Sequence, residues 1–177
     1  MSQQEIIIAG FGGQGILSAG RLLAHAGMLE GKNVSWLPSY GPEMRGGTAN
    51  CHVIISDDPV GSPILNSATT LIVMNGPSLD KFENMVVKDG LIIADSSLVK
   101  RKPNRNDIKF FGIPASQIAS DMGNSTYAGI ILLGKLIGST GIVSKENFES
   151  ALKKVLPEKY HHMIPEEMKA FEIGMEY

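Results

Sequence analysis

The stretch Ile6-Ile7-Ile8-Ala9-Gly10-Phe11-Gly12-Gly13-Gln14-Gly15 decides the fold. An unbroken apolar run rich in β-branched isoleucine reads as a buried parallel strand over Ile6–Ala9. A glycine-rich turn follows it. Residues from Ile16 to about Glu30 then read as a helix, with Ile16, Leu23 and Ala26-Gly27 among its packing positions. Gly31 ends it, as glycine commonly does just past a helix. Asn33-Val34-Ser35-Trp36-Leu37 is a second strand, closed by Pro38. Strand, turn, helix and strand within roughly 35 residues is the size of one βαβ unit.

Working outward, strands are expected at 49–55, 70–74, 90–94 and 108–113, and helices at 78–87, 126–137, 145–155 and 166–175. Pro165 before Glu166-Glu167 is a good helix start, with acids in the first turn. Val99 to Asp107 reads as a polar, basic surface loop. Alternating strand and helix signals predict an α/β fold: one Rossmann-like domain over residues 1–177, with a mainly parallel sheet and helices on both faces.

Composition narrows the function classes. The formal charge of −2 comes from interspersed acids and bases, so no nucleic-acid or membrane partner is expected. Cys51 is the one cysteine. An internal disulfide is impossible, and this chain alone cannot hold a cysteine-ligated iron–sulfur cluster. The start Met1-Ser2-Gln3-Gln4-Glu5 lacks the features of a signal peptide. The apolar run Tyr127–Gly138 is broken by Lys135 and is too short to span a bilayer. A cytoplasmic location is expected.

Gly10-Phe11-Gly12-Gly13-Gln14-Gly15 matches G-x-G-x-x-G between an expected strand and an expected helix, the context the motif requires. Gly10, Gly12, Gly13, Gln14 and Gly15 are therefore candidate cofactor-binding residues. Two readings stand. The turn cradles a phosphate or carboxylate on helix N–H groups, or its glycines only let the helix pack close on the sheet. A dinucleotide site would carry an acid where the second strand ends, and Trp36-Leu37-Pro38-Ser39 has none. No Gly-Lys-Ser/Thr follows, so the turn is not a P-loop.

The segment Pro38–Asn50 should lie at the same end of the sheet. Between Tyr40 and Gly47 it holds an aromatic, an acid, an arginine and three glycines. Tyr40, Glu43, Arg45, Gly46 and Gly47 are the second set of candidate binding residues. Arg45 either pairs with Glu43 at the surface, or reaches a carboxylate or phosphate on a ligand or neighbouring subunit.

Gly12-Gly13-Gln14-Gly15, followed by Arg45-Gly46-Gly47 before a strand, resembles the gamma subunit of 2-oxoacid:ferredoxin oxidoreductases. The helix opened by Asn124, with Gly134 near its far end, resembles that family's later glycine-containing helix. The likeness covers about residues 5–155. It implies the reaction of a 2-oxoacid, coenzyme A and oxidised ferredoxin to acyl-CoA, carbon dioxide and reduced ferredoxin. It also implies a chain that is inactive alone and binds no cofactor by itself. Its partners would be alpha, beta and delta subunits, with ferredoxin reached through the complex. Thiamine diphosphate, iron–sulfur clusters and coenzyme A would belong to the assembly. Gly41-Pro42-Glu43-Met44-Arg45-Gly46-Gly47-Thr48 looks more like the 2-oxoglutarate or branched-chain types than the pyruvate type, and 2-oxoglutarate is favoured. The alternatives are a stand-alone nucleotide- or acyl-CoA-binding module and an NAD(P)-linked dehydrogenase.

No catalytic or metal-ligating residue is expected. Cys51 shares strand parity with Val53 and Ile55 and reads as a buried small hydrophobe. His52 has the opposite parity. His161-His162 has no helical i, i+4 partner for a metal. Asp95, Asn75 and Asn124 sit where turns and helix starts need side-chain caps.

Overall fold

Alternation along each strand builds two cores. Ile6 and Ile8 of the first strand join one apolar cluster, while Ile7 and Ala9 join another on the opposite face. The same division separates Cys51, Val53 and Ile55 from Ile54, and Leu91 and Ile93 from Ile92. A computed structural model describes residues 3–39 and 48–177. Its strands are β1 (Gln3–Phe11), β2 (Asn33–Ser39), β3 (Thr48–Ser56), β4 (Ala68–Val73), β5 (Val86–Asp95) and β6 (Lys109–Ile113). Its helices are α1 (Ile16–Leu29), α2 (Gly76–Phe82), α3 (Ala115–Asp121), α4 (Tyr127–Thr140), α5 (Lys145–Val155) and α6 (Ile164–Glu176).

The six strands form one sheet in the order β2-β3-β1-β4-β5-β6. β1, β4, β5 and β6 pair in parallel, and β3 runs antiparallel to both β1 and β2. The sheet is thus mainly parallel in strand direction, as expected, with β3 as the reversed strand. β3 also separates β2 from β1, so the second strand is not the immediate neighbour that a plain βαβ unit would give.

The helices are unevenly shared between the two faces. α1, α3, α4, α5 and α6 contribute to the larger core, and among the described residues α2 is the one α-helix that packs on the other, with residues such as Leu65 and Val99 from connections. Inside the larger core Phe148 and Phe171 stack with ring centroids 4.2 Å apart. Glycines let α4 and α6 touch by their backbones. A Cβ on Gly134 would lie 2.1 Å from the Phe171 carbonyl oxygen, and one on Gly174 would lie 1.9 Å from that of Ile131.

Several element boundaries depart from the sequence reading. β1 includes Gly10 and Phe11, which pair with Ala49 and Thr48. Pro38 does not close β2, which continues to Ser39. The helix expected over 78–87 ends at Phe82, and Val86 already belongs to β5. The strand expected at 90–94 begins earlier, at Val86, with left-handed Asp89 (φ 65°) inside the register shift where β5 pairs with Ala68 and Thr70. The 99–107 connection is tied down: Arg101 bridges Asp80 and Glu83, and Arg105 pairs with Asp107 while donating to the Glu83 carbonyl.

Candidate functional site

Because β1, β2, β4, β5 and β6 all point one way, their carboxyl ends share one edge of the sheet, where crevices form in open α/β folds. The glycine turn leaves β1 at this edge. Ser39 and Thr48, which flank the second loop, sit at the same edge, Thr48 opposite Phe11. Tyr40, Glu43, Arg45, Gly46 and Gly47 lie outside the described residues.

Each position of the first turn has its own constraint. A Cβ on Gly10 would lie 2.5 Å from Oε1 of Gln14 and 2.8 Å from Cδ1 of Ile16, so this glycine permits close packing. Gly13 and Gly15 hold φ of 90° and 77°, the left-handed region. Neither has a neighbour within 4 Å of a built Cβ among the described residues, and their left-handed conformation itself selects glycine there. Gln14 closes the turn. Its Oε1 accepts from the Phe11 N–H at 2.5 Å and its Nε2 donates to the Met74 carbonyl at 3.1 Å, tying β1 to the end of β4. Gly12 is exposed in the turn.

This arrangement sets the outcome of a substitution. Gly15→Val should lose roughly 1–2 kcal/mol or more, because an L residue in the left-handed region is penalised and β-branching adds to it. Gly15→Asn should lose less. Thermal unfolding of the two variants checks this, and equal midpoints would refute a conformational role.

Gly15 also opens α1, which has no acid in its first turn and no side-chain cap among the described residues. Its start therefore keeps the positive end of the helix open to an anion. Ser18 lies one turn further along the helix. Together with Ser116, Asn124, Ser125 and Thr126 they line the polar part of a cleft of about 530 Å³ between α1, α4 and the α5–α6 connection. On the other side of the turn Phe11 and Leu98 are exposed by 42% and 44%.

The capping readings hold at Asn75 and Asp95 but not at Asn124. Asn75 accepts from the Ser78 N–H at 2.8 Å at the start of α2. Asp95 is fully buried and accepts from the N–H groups of Ser97 and Ser116 and from the Ser116 hydroxyl. Asn124 accepts from the Thr126 N–H at 3.1 Å in a turn before α4, while the start of α4 has no side-chain cap among the described residues. Cys51 is buried, and burial pushes its thiol up to about 12. His52 accepts from the Leu65 N–H at 3.3 Å, and burial lowers its pKa. His161 Nε2 lies 2.9 Å from the Leu156 carbonyl.

Glu167 has an environment that its reading as a first-turn acid does not describe. It stands in the first turn of α6 beside exposed Glu166, yet it is only 5% exposed and lines the cleft. Its Oε2 has no hydrogen-bond partner among the described residues, and burial raises its pKa to about 7. The sequence did carry a signal. Glu167 follows Ile164 by three and precedes Phe171 by four, which places it on the apolar stripe.

With this geometry in view, the similarities to known proteins decide the family. The pyruvate ferredoxin/flavodoxin oxidoreductase family model matches residues 5–177. The chain belongs to this family. It is 40% identical over 175 residues to the ketoisovalerate oxidoreductase subunit VorA of Methanothermobacter thermautotrophicus, covering 98% of this chain and 36% of that protein. The chain thus spans little more than a third of that relative's length. It is 36% identical over 158 residues to the 2-oxoglutarate synthase subunit KorC of Methanocaldococcus jannaschii, covering 88% of this chain and 84% of that one. A crystal structure of a keto/oxoacid ferredoxin oxidoreductase gamma subunit from Geobacter sulfurreducens has the same fold. Its TM-score is 0.86 at 32% identity, with 99% of this chain and 96% of that chain covered. The gamma-subunit resemblance carried by Gly12–Gly15 and Arg45–Gly47 is thereby established for the fold and family.

Proposed function

We propose that the chain, as one gamma-type domain over residues 1–177, is the gamma subunit of a thiamine-diphosphate and iron–sulfur dependent 2-oxoacid:ferredoxin oxidoreductase. The complex oxidises a 2-oxoacid with coenzyme A to acyl-CoA and carbon dioxide, reducing ferredoxin, and 2-oxoglutarate is the favoured substrate. Alpha, beta and delta subunits in the cytoplasm complete it. One observation carries the reading beyond family membership. The glycine turn, the flanks of the Arg45 loop and the exposed side chains of Phe11 and Leu98 gather at the carboxyl edge of one sheet. That edge suits a surface that meets partner subunits and a polyanionic cofactor.

The division of labour follows from side chains. With one buried cysteine, the chain does not fit an iron–sulfur cluster, which needs several thiolates. The start of α1 does fit a phosphate: Gly13 and Gly15 let a ligand approach the backbone, and the first turn has no repelling acid. Coenzyme A supplies the thiol that accepts the acyl group. Gly13, Gly15, Ser18 and Arg45 would bind and orient its phosphates.

The purified complex should oxidise 2-oxoglutarate with coenzyme A and a low-potential dye faster than 2-oxoisovalerate, and the isolated chain should oxidise neither. The greater identity to VorA favours the second reading, a branched-chain substrate, and the reverse preference would establish it. Turnover by the isolated chain would refute the subunit reading.

Arg45 tests the edge directly. Its planar fork suits bidentate contact with carboxylate or phosphate, which lysine reproduces poorly. Arg45→Ala should leave the chain folded and weaken assembly or coenzyme A use by about 2–5 kcal/mol for a fully buried contact, with Arg45→Lys recovering part. Pull-down and coenzyme A titration of the reconstituted complex measure this. Normal assembly with unchanged coenzyme A dependence would remove Arg45 from the functional surface.

A further inference from the structure

The cleft beside the glycine turn continues well below its polar mouth. Its lining follows α1 from Gly15 to Leu22 and α4 from Ala128 to Leu133. At 1.5 Å per residue the α1 wall alone is about 10 Å long. Leu152, Leu156 and Met163 form the facing wall. The hydroxyl and amide side chains of the lining cluster around the starts of α1, α3 and α4, so the remainder is chiefly aliphatic. A volume of about 530 Å³ falls within the range of small-molecule sites.

Glu167 breaks the apolar character of that remainder. It is 95% buried, and Oε2 has no partner among the described residues. Tyr160 is the one other titratable side chain in the described lining, and no lysine, arginine or histidine there neutralises the carboxyl. A buried carboxyl oxygen without a hydrogen bond is a standing cost, which an occupant donating a proton to it would remove. An anion would instead set its own lone pairs against those of Glu167 once that carboxyl is ionised.

We propose that this cleft binds a slender aliphatic molecule bearing a hydrogen-bond donor, a hydroxyl or a protonated amine, directed at Oε2 of Glu167. The aliphatic part lies along Leu22, Leu133, Leu152 and Leu156, and the donor supplies the hydrogen bond that the protein leaves unmade. This site is separate in chemistry from the phosphate-attracting start of α1, and it does not depend on the substrate of the complex.

The test titrates the 177-residue chain, labelled for amide NMR, at about pH 8, where Glu167 is chiefly ionised, with 1-hexanol, hexylammonium and hexanoate. At least one donor probe should give saturable shifts around Leu133, Leu152 and Glu167, with hexanoate about tenfold weaker or worse. Glu167→Leu should weaken the donor probe about tenfold. Glu167→Gln keeps an acceptor oxygen without charge, so it should still bind hexanol and lose any preference for hexylammonium, which distinguishes the two donors even if the leucine variant does not fold. The proposal is overturned by the absence of saturable shifts, by hexanoate binding as well as the donors, by unchanged donor binding in Glu167→Leu, or by loss of hexanol binding in Glu167→Gln.

Discussion

Gly174→Ala is expected to destabilise the protein by about 3 kcal/mol, lowering the thermal midpoint by roughly 6–12 °C for a chain of this size. The added Cβ would stand 1.9 Å from the Ile131 carbonyl oxygen and 2.8 Å from its carbonyl carbon. These are backbone atoms of α4, so no rotamer change relieves the overlap, and the helices must move apart. Alanine would otherwise favour the helix by up to about 1 kcal/mol, which the clash has to exceed. Separating α4 from α6 would also loosen the buried Phe171, which stacks on Phe148. Gly129→Ala is the control in α4: its nearest contact would be Ala19 Cβ at an ordinary 3.7 Å, so it should leave the midpoint unchanged or raise it. If the two variants melt alike, the α4–α6 approach is not as close as described.

The β1-α1-β2 order was legible because three signals agree locally: an apolar run, a glycine turn and an amphipathic helix closed by Gly31. The reversal of β3 was legible in principle. Only residues 40–47 separate β2 from β3, and a parallel crossover needs a dozen or more residues. α3 escaped because it is one short segment with Ala115 and Ala119 as its buried residues, too little for a periodic stripe. Gly134 and Gly174 carry no local signal of their packing role, since each is explained only by a partner helix distant in sequence. The glycine turn was legible as a motif, but not the split of its duties between packing at Gly10, conformation at Gly13 and Gly15, and bracing by Gln14. Glu167 was read only as a first-turn acid, and its position on the α6 stripe, which the structure buries, was left unused.

That position makes stability depend on pH in a direction opposite to the usual carboxylate. Burial raises the Glu167 pKa from an ordinary 4.5 to about 7, so folding favours its neutral form. The unfolded chain ionises first as pH rises. The stabilising contribution is therefore complete below about pH 4.5, declines through the interval, and is gone above about pH 7. A gap of this width is worth roughly 3 kcal/mol. The positive start of α6 favours the carboxylate and trims that figure. Hydrogen bonds from Asn147 and Ser144 act the other way at Glu30, lowering its pKa and adding stability as pH rises. Comparing variants cancels such background. Glu167→Gln cannot ionise, so its stability relative to the wild type should rise by about 2–3 kcal/mol from pH 4.5 to pH 8. Urea denaturation at both pH values measures the difference. Parallel stability profiles for the two proteins would mean that Glu167 reaches water or a partner in the folded state, and the ligand proposed for the cleft would lose its anchor as well.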